Sequence, residues 1–104
     1  MRQQMAACED WPRGERPAEY QERFTVPAPA LLVSGSHDPV TPARWGEEMR
    51  RYFPQSLHLV VAGAHGVNSA CVQQIAAALI ARGTVGGLDT ACVAAERYGD
   101  FVLR

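Results

Sequence analysis

The amino-acid sequence predicts an α/β fold in which two parallel strands alternate with flanking helices. Two short apolar runs, Ala30–Gly35 and Leu57–Ala62, have the length and composition of buried strands. Each run is followed by apolar residues at helical spacing, over about residues 42–53 and 69–82. The order strand, helix, strand, helix implies a right-handed βαβ crossover, which makes the two strands parallel.

The first helix is delimited by a capping residue and two prolines. Thr41 is predicted to cap it with Pro42 in the first helical position, and Pro54 prevents its continuation. The helix carries an apolar stripe that we expect to pack in the core rather than line a substrate pocket: Trp45, Met49, Tyr52 and Phe53.

The second helix has signals at both ends. Either Asn68 or Ser69 can cap its first turn, and Gly83 ends it after Arg82. Its apolar residues again keep helical spacing: Val72, Ile75, Ala76, Leu79 and Ile80.

The segments on either side have weaker patterns. Residues 1–29 contain four prolines and predict an irregular connection with a short helix or turn near Cys8. Residues 84–104 predict a weakly structured tail with a possible short helix over residues 90–98. The chain therefore divides into a connection, a βαβα segment over residues 30–83, and a tail.

Composition bounds the function classes. A hydrophobic fraction of 47% and a charged fraction of 20% are typical of a globular protein. The formal net charge is −1 and the arginines are scattered, which argues against nucleic-acid binding. No segment reaches the roughly 18 apolar residues that span a membrane. The first ten residues lack the apolar core of a signal peptide, so the residues do not assign a compartment.

The three cysteines, Cys8, Cys71 and Cys92, have no C-x-x-C spacing, which argues against a zinc ribbon or a thioredoxin-type motif. Their odd number permits at most one internal disulfide. Three buried, reduced thiols are the alternative.

Asp38 and His65 are the candidate functional residues, because each lies in a loop directly after a predicted strand. Ligands and chemistry gather at the carboxyl ends of parallel strands. Neighbouring strands are about 4.8 Å apart, so the two loops can bring a carboxylate and an imidazole within hydrogen-bond reach. An acid that orients a histidine is two thirds of a catalytic triad.

Simpler interpretations exist for the same residues. Asp38 before Pro39 is also a typical turn-forming residue. A metal site made of His37, Asp38 and His65 is conceivable, although no spaced ligand set supports it, and we expect no metal or other cofactor. We expect His37 to face solvent and His58 to occupy an alternating strand position.

Four stretches of the sequence form a recognisable set: Cys8-x-x-Trp11-Pro12, the apolar lead-in Val26–Val33, the acid loop Gly35-x-x-Asp38-x-x-Thr41-Pro42, and the histidine loop Gly63-x-His65-Gly66. Together they resemble the C-terminal domain of the tripeptidyl-aminopeptidase-like (TAP-like) α/β-hydrolases, serine peptidases related to prolyl iminopeptidase. The resemblance covers roughly residues 8–92.

This resemblance implies that Asp38 and His65 are the acid and the base of a Ser-Asp-His triad that cleaves short peptides without a cofactor. The serine of such enzymes lies in a G-x-S-x-G turn, which this sequence does not contain. We therefore expect the chain alone to be inactive and its partner to be an upstream hydrolase core in the same or a separate chain. Relatives are expected to be secreted or envelope-associated, and a Cys71–Cys92 disulfide would suit them.

Other functions share the same residues. Two strands alone do not make a stable sheet, and Ala30–Gly35 would present an open apolar edge. Both points favour a segment that docks onto a larger core, with Met1 an internal methionine of a longer reading frame, or a separately encoded or degenerate remnant without catalysis. A fragment of an esterase- or lipase-like hydrolase is the third possibility.

Overall fold

The computed structural model describes residues 2–22 and 24–99. A 3₁₀ helix follows the first α-helix, and a second 3₁₀ helix follows the last. In chain order the elements are α1 (Arg2–Ala7), the first 3₁₀ helix (Ala18–Gln21), β1 (Ala30–Gly35), α2 (Ala43–Met49), β2 (Ser56–Val61), α3 (Ala70–Arg82) and the second 3₁₀ helix (Ala91–Ala95).

The two strands form a parallel sheet in which Ala30 is opposite Ser56 and Gly35 is opposite Val61. The prediction of an α/β arrangement with parallel strands and flanking helices is confirmed. Within the described residues β1 pairs only with β2, so one edge of β1 is unpaired. The division of the chain into segments 1–29, 30–83 and 84–104 stays a prediction.

The core lies between the sheet and α3. Ser69 caps α3 by accepting a hydrogen bond from the Val72 amide at 3.2 Å, and Gly83 ends it in the left-handed conformation with φ of 65°. Ile80, one of the apolar residues at helical spacing, is 83% exposed and lies outside the core. The buried apolar residues are Leu59, Val61, Cys71, Val72 and Ile75.

A disulfide joins Cys71 of α3 to Cys92 of the second 3₁₀ helix. This is the pairing that the family resemblance implied, and Cys8 remains a free, exposed thiol. The alternative of three buried, reduced cysteines is therefore wrong. The disulfide holds the tail against α3, where the tail forms a 3₁₀ helix shorter than the helix considered over residues 90–98.

Helix α2 differs from its prediction at both ends. Its N-cap is Pro42, without a side-chain cap, so the assignment of Thr41 as the cap is wrong. The helix ends at Met49 rather than near Phe53, and tighter turns continue the chain, with the Tyr52 amide bonded to the Met49 carbonyl at 2.9 Å. Pro54 lacks an amide proton and the residue before a proline avoids the α conformation, so the helix cannot extend past Phe53.

The apolar stripe of α2 also does not pack in the hydrophobic core. Trp45 is 48% exposed and Met49 is 39% exposed, which contradicts their predicted burial. The part of α2 nearest the sheet is Gly46, where an added Cβ would lie 2.5 Å from Nε2 of His58 and 2.7 Å from Oγ of Ser34. The helix thus approaches the sheet through a glycine and leaves its large apolar residues uncovered.

The N-terminal part of the chain contacts this region through Phe24. Its ring lies 5.4 Å from that of Tyr52 and 6.5 Å from that of Phe53, measured between centroids. The amide of Val26 donates to the carbonyl of Tyr52 at 2.8 Å. Within the described residues, no helix is long and apolar enough to cross a lipid bilayer.

Candidate active site

Backbone hydrogen bonds bring the acid loop and the histidine loop together beyond the ends of the strands. The amide of Ser36 donates to the carbonyl of Val61 at 2.9 Å, and that of His37 donates to the carbonyl of Gly63 at 3.0 Å. Gly35 permits this approach, since a Cβ there would lie 2.2 Å from the carbonyl oxygen of Ala64. The parallel pairing therefore continues past the sheet and fixes the distance between the two loops.

Asp38 is held by its own loop. Its residue exposure is 8%, and its Oδ1 accepts hydrogen bonds from the amides of Val40 at 2.8 Å and Thr41 at 2.9 Å. Its Oδ2 accepts the hydroxyl of Thr41 at 2.5 Å. The turn-forming interpretation and the catalytic interpretation of Asp38 are thus compatible, because the turn uses one carboxylate oxygen and leaves the other beside the histidine.

The pKa of Asp38 is shifted by opposing effects. Burial by itself raises this pKa, since it disfavours the charged carboxylate. Hydrogen bonds from the Thr41 hydroxyl, the Thr41 amide, His65 and the Val40 amide lower it. The hydrogen bonds prevail and hold the pKa of Asp38 well below its usual range, so the group is an anion at neutral pH.

His65 faces this anion from the second loop. Its Nδ1 lies 3.0 Å from Oδ2 of Asp38 and 3.2 Å from Oγ1 of Thr41. An ionised carboxylate only accepts, so Nδ1 carries a proton, and in the neutral imidazole this tautomer leaves a lone pair on Nε2. The His65 side chain is 58% exposed. The imidazole is therefore oriented by a buried anion while its other nitrogen remains accessible.

Thr41 is the site residue that sequence reasoning missed. Its hydroxyl donates to Asp38 instead of capping α2, and its lone pairs lie within reach of the proton on Nδ1 of His65. The signal in the sequence was the D-x-x-T spacing, because a hydroxyl three residues after an aspartate can return to the carboxylate.

The other histidines lie apart from this pair. His37 is exposed, as predicted, and contacts Tyr98. His58 occupies β2, and its ring is buried, with Nε2 3.0 Å from Oγ of Ser34 and Nδ1 3.3 Å from Oε2 of Glu47. The hydrogen bond from His58 lowers the pKa of Glu47, against a smaller opposing effect of burial.

The serines of the chain offer no nucleophile to His65. No serine of the described residues lies within hydrogen-bond distance of the His65 ring. Ser34 is bonded to His58, Ser36 to the Tyr98 hydroxyl, and Ser69 caps α3. Across residues 2–22 and 24–99, no three histidine, cysteine, aspartate or glutamate side chains form a group that can hold a metal ion.

Comparison with known proteins adds one finding to this geometry. The family model described as TAP-like protein matches residues 1–92. No curated protein matches the chain, and no solved structure does. The match includes both loops and stops before Tyr98.

Proposed function

The chain belongs to the TAP-like protein family of α/β-hydrolases, and on that basis we propose that it is the segment of a serine hydrolase that supplies the acid and the base of a Ser-Asp-His triad. Asp38 is the acid and His65 the base. The observation that carries this proposal is the 3.0 Å approach of Nδ1 of His65 to the buried carboxylate of Asp38, with the imidazole itself exposed.

The proposed chemistry uses the two nitrogens of His65 differently. Nε2 removes the proton from a serine hydroxyl as its oxygen attacks a substrate carbonyl, and then gives that proton to the departing amine. Nδ1 stays bonded to Asp38, which stabilises the imidazolium formed between these steps. A water molecule activated by the same nitrogen then hydrolyses the acyl-enzyme and restores the serine.

The serine is proposed to come from a hydrolase core carrying G-x-S-x-G, in the same or a separate polypeptide. A groove of about 350 Å³ supports this, since four consecutive residues of β1, from Leu31 to Ser34, line it together with Trp45 and Met49 of α2. A further strand paired with the free edge of β1 would cover this groove, including the exposed side chains of Trp45 and Met49, and edge strands invite such pairing.

The substrate is proposed to be a short peptide, cleaved as an aminopeptidase does. Support comes from the resemblance of the acid and histidine loops to those of tripeptidyl-aminopeptidase-like enzymes. Esterase activity uses the same Asp38 and His65, so the two reactions are separated by comparing peptide amides with esters of the same acyl group. Preference for the amide supports the peptidase proposal.

Reconstitution is the direct test. The chain is mixed or fused with a TAP-like core that carries the serine, and labelling by a fluorophosphonate is followed together with peptide hydrolysis. We expect no turnover with either part alone and activity with both. Asp38→Asn and His65→Ala are expected to abolish that activity, whereas Glu47→Gln, which lies outside the pair, leaves it intact. Turnover by the chain alone would contradict the proposal.

A non-catalytic docking segment is the second candidate, favoured by the free edge of β1 and the exposed Trp45 and Met49. This candidate predicts that the chain binds the hydrolase core without producing hydrolysis. Trp45→Ser should weaken that binding, and neither His65→Ala nor Asp38→Asn should affect it. The same reconstitution therefore separates the two candidates.

A further inference from the structure

Tyr98 lies beyond the matched residues 1–92 and returns to the junction of the acid and histidine loops. Its hydroxyl donates to the backbone carbonyl of Gly63 at 3.3 Å and lies 2.5 Å from Oγ of Ser36. The hydroxyl also contacts Nδ1 of His37, whose ring meets the tyrosine ring edge-on with centroids 4.7 Å apart. One side chain of the tail thus contacts both loops.

The hydrogen-bonding capacity of the hydroxyl matches these contacts. A phenol has one proton to give and two lone pairs to receive protons. The proton goes to the carbonyl of Gly63, and the lone pairs accept from the Ser36 hydroxyl and from a proton on Nδ1 of His37. No donor opposes a donor in this arrangement, so all three contacts can be satisfied together.

The position of these contacts relates Tyr98 to the site. His37 directly precedes Asp38, and Gly63 lies two residues before His65. The carbonyl of Gly63 already accepts the His37 amide, so Tyr98 adds a second hydrogen bond at the point where the loops are joined.

The tail is held in place for this contact. The disulfide anchors the second 3₁₀ helix, Ala91–Ala95, to α3. The carboxylate of Asp89 accepts the amide of Ala91 at 2.9 Å just before that helix begins. Only a few residues separate the anchored helix from Tyr98.

We propose that Tyr98 is a positioning residue that clamps the acid loop against the histidine loop and so maintains the distance between Asp38 and His65. The role rests on the function proposed above, but the clamp is a property of the chain itself. It can therefore be measured in the chain without any hydrolase core.

The test is Tyr98→Phe, which removes the hydroxyl and keeps the ring. Nuclear magnetic resonance follows exchange of the His37 amide proton and the Nδ1 proton of His65. We expect both to exchange about fivefold faster, the effect of losing one ordinary hydrogen bond. The amides of β1 and β2 should be unchanged. Tyr20→Phe is the matched control, because Tyr20 is 74% exposed and its 3₁₀ helix contacts neither strand.

Two outcomes overturn the clamp. Unchanged exchange at His37 and His65 means that the hydroxyl only rests on the loops, and equal acceleration of all amides means a general stabilising role. In the reconstituted hydrolase the clamp predicts a lower kcat at unchanged KM for Tyr98→Phe. If the wild-type mixture has no activity, the function proposed above fails, while the exchange measurement still decides whether the clamp exists.

Discussion

Two histidine–carboxylate pairs lie on the same small sheet, and they differ in which partner is buried. In the first, the Asp38 carboxylate is 3% exposed and the His65 imidazole 58%. In the second, the His58 imidazole is 5% exposed and the Glu47 carboxylate 61%. The separations are similar, 3.0 Å and 3.3 Å, so proximity alone does not distinguish the pairs.

The difference lies in what the remaining nitrogen of each imidazole can do. His58 has the connectivity of a triad, since its Nδ1 meets Glu47 and its Nε2 meets Ser34. Both nitrogens are occupied, however, and the backbone at Gly46 packs against them. His65 has one nitrogen committed and one accessible. Connectivity therefore identifies a hydrogen-bonded relay, and accessibility determines whether that relay can act on a substrate.

The largest effect is expected from a substitution in the first pair. Asp38→Asn in the reconstituted hydrolase should lower kcat by about 10⁴-fold, because the amide no longer holds the correct tautomer of the histidine. Glu47→Gln makes the same chemical change in the second pair and should leave kcat unchanged. Steady-state kinetics on a peptide substrate measures both, and equal losses in the two variants would show that burial does not separate the pairs.

The second prediction concerns stability, for which we expect the second pair to matter more than the first. His58→Ala should cost about 3 kcal/mol in the free energy of unfolding, since it leaves a cavity and a Ser34 hydroxyl without its partner. His65→Ala should cost less, about 1 kcal/mol, because the exposed ring contributes little packing and the Asp38 carboxylate loses only one of its hydrogen bonds. Urea denaturation followed by circular dichroism gives both values. A greater loss for His65→Ala would contradict the assigned roles.

Each pair also depends on one glycine. An added Cβ at Gly35 meets the carbonyl oxygens of Ala64 and Gly63 at 2.2 and 2.6 Å, and one at Gly46 meets Nε2 of His58 at 2.5 Å. Alanine at either position should destabilise the fold by about 1–3 kcal/mol through overpacking. Gly35→Ala should shift the ring resonances of His65 and spare those of His58, and Gly46→Ala should do the opposite.

Gly14→Ala is the control for both glycine variants, because no atom lies within 4 Å of the position of its Cβ. It should leave both sets of ring resonances and the urea midpoint unchanged. If Gly35→Ala disturbs the two histidines equally, the pairs are not independent and the comparison between them fails.

Local sequence patterns predicted the strands and helices that carry these pairs. They failed to predict side-chain burial and hydrogen-bond partners, which depend on residues distant in the sequence. The strand Ala30–Gly35 follows from its apolar run, and the ends of α3 follow from Gly83 and from Ser69, one of the two residues predicted as its cap. Helical periodicity predicts a core position for Trp45, because it identifies an apolar face but not what covers it. The capping pattern predicts Thr41 at the helix end, but its hydroxyl donates to the Asp38 carboxylate three residues earlier.

Topology accounts for only part of the relay of Ser34, His58 and Glu47. Leu32 is opposite His58 in the strand register, and Ser34, two residues further along β1, is a diagonal neighbour of His58 on the same face of the sheet. The contact with Glu47 instead depends on how α2 packs against the sheet. The topology predicts which loops meet at one edge of the sheet. It does not predict which side chains of a helix and a strand pair, because that depends on how the helix packs on the sheet.

The last prediction concerns stability in acid. The pKa values of Asp38 and Glu47 are both lowered in the folded chain. Each ionised carboxylate thus stabilises the fold above its ordinary pKa, about 3.9 for aspartate and 4.3 for glutamate, and this contribution is lost as the pH falls through the folded value. Unfolding by urea between about pH 6 and pH 2 should show the loss, and Asp38→Asn should reduce the slope.

The salt dependence of this acid destabilisation should distinguish the buried carboxylate of Asp38 from the exposed carboxylate of Glu47. The Debye length shrinks from about 30 Å at 0.01 M to about 3 Å at 1 M, so charges in solvent are screened and buried ones much less. The part of the pH dependence removed by Glu47→Gln should therefore weaken in 1 M salt, and the part removed by Asp38→Asn should persist. If salt weakens both parts equally, Asp38 is as hydrated as Glu47. That result would contradict the interpretation that a buried anion orients His65.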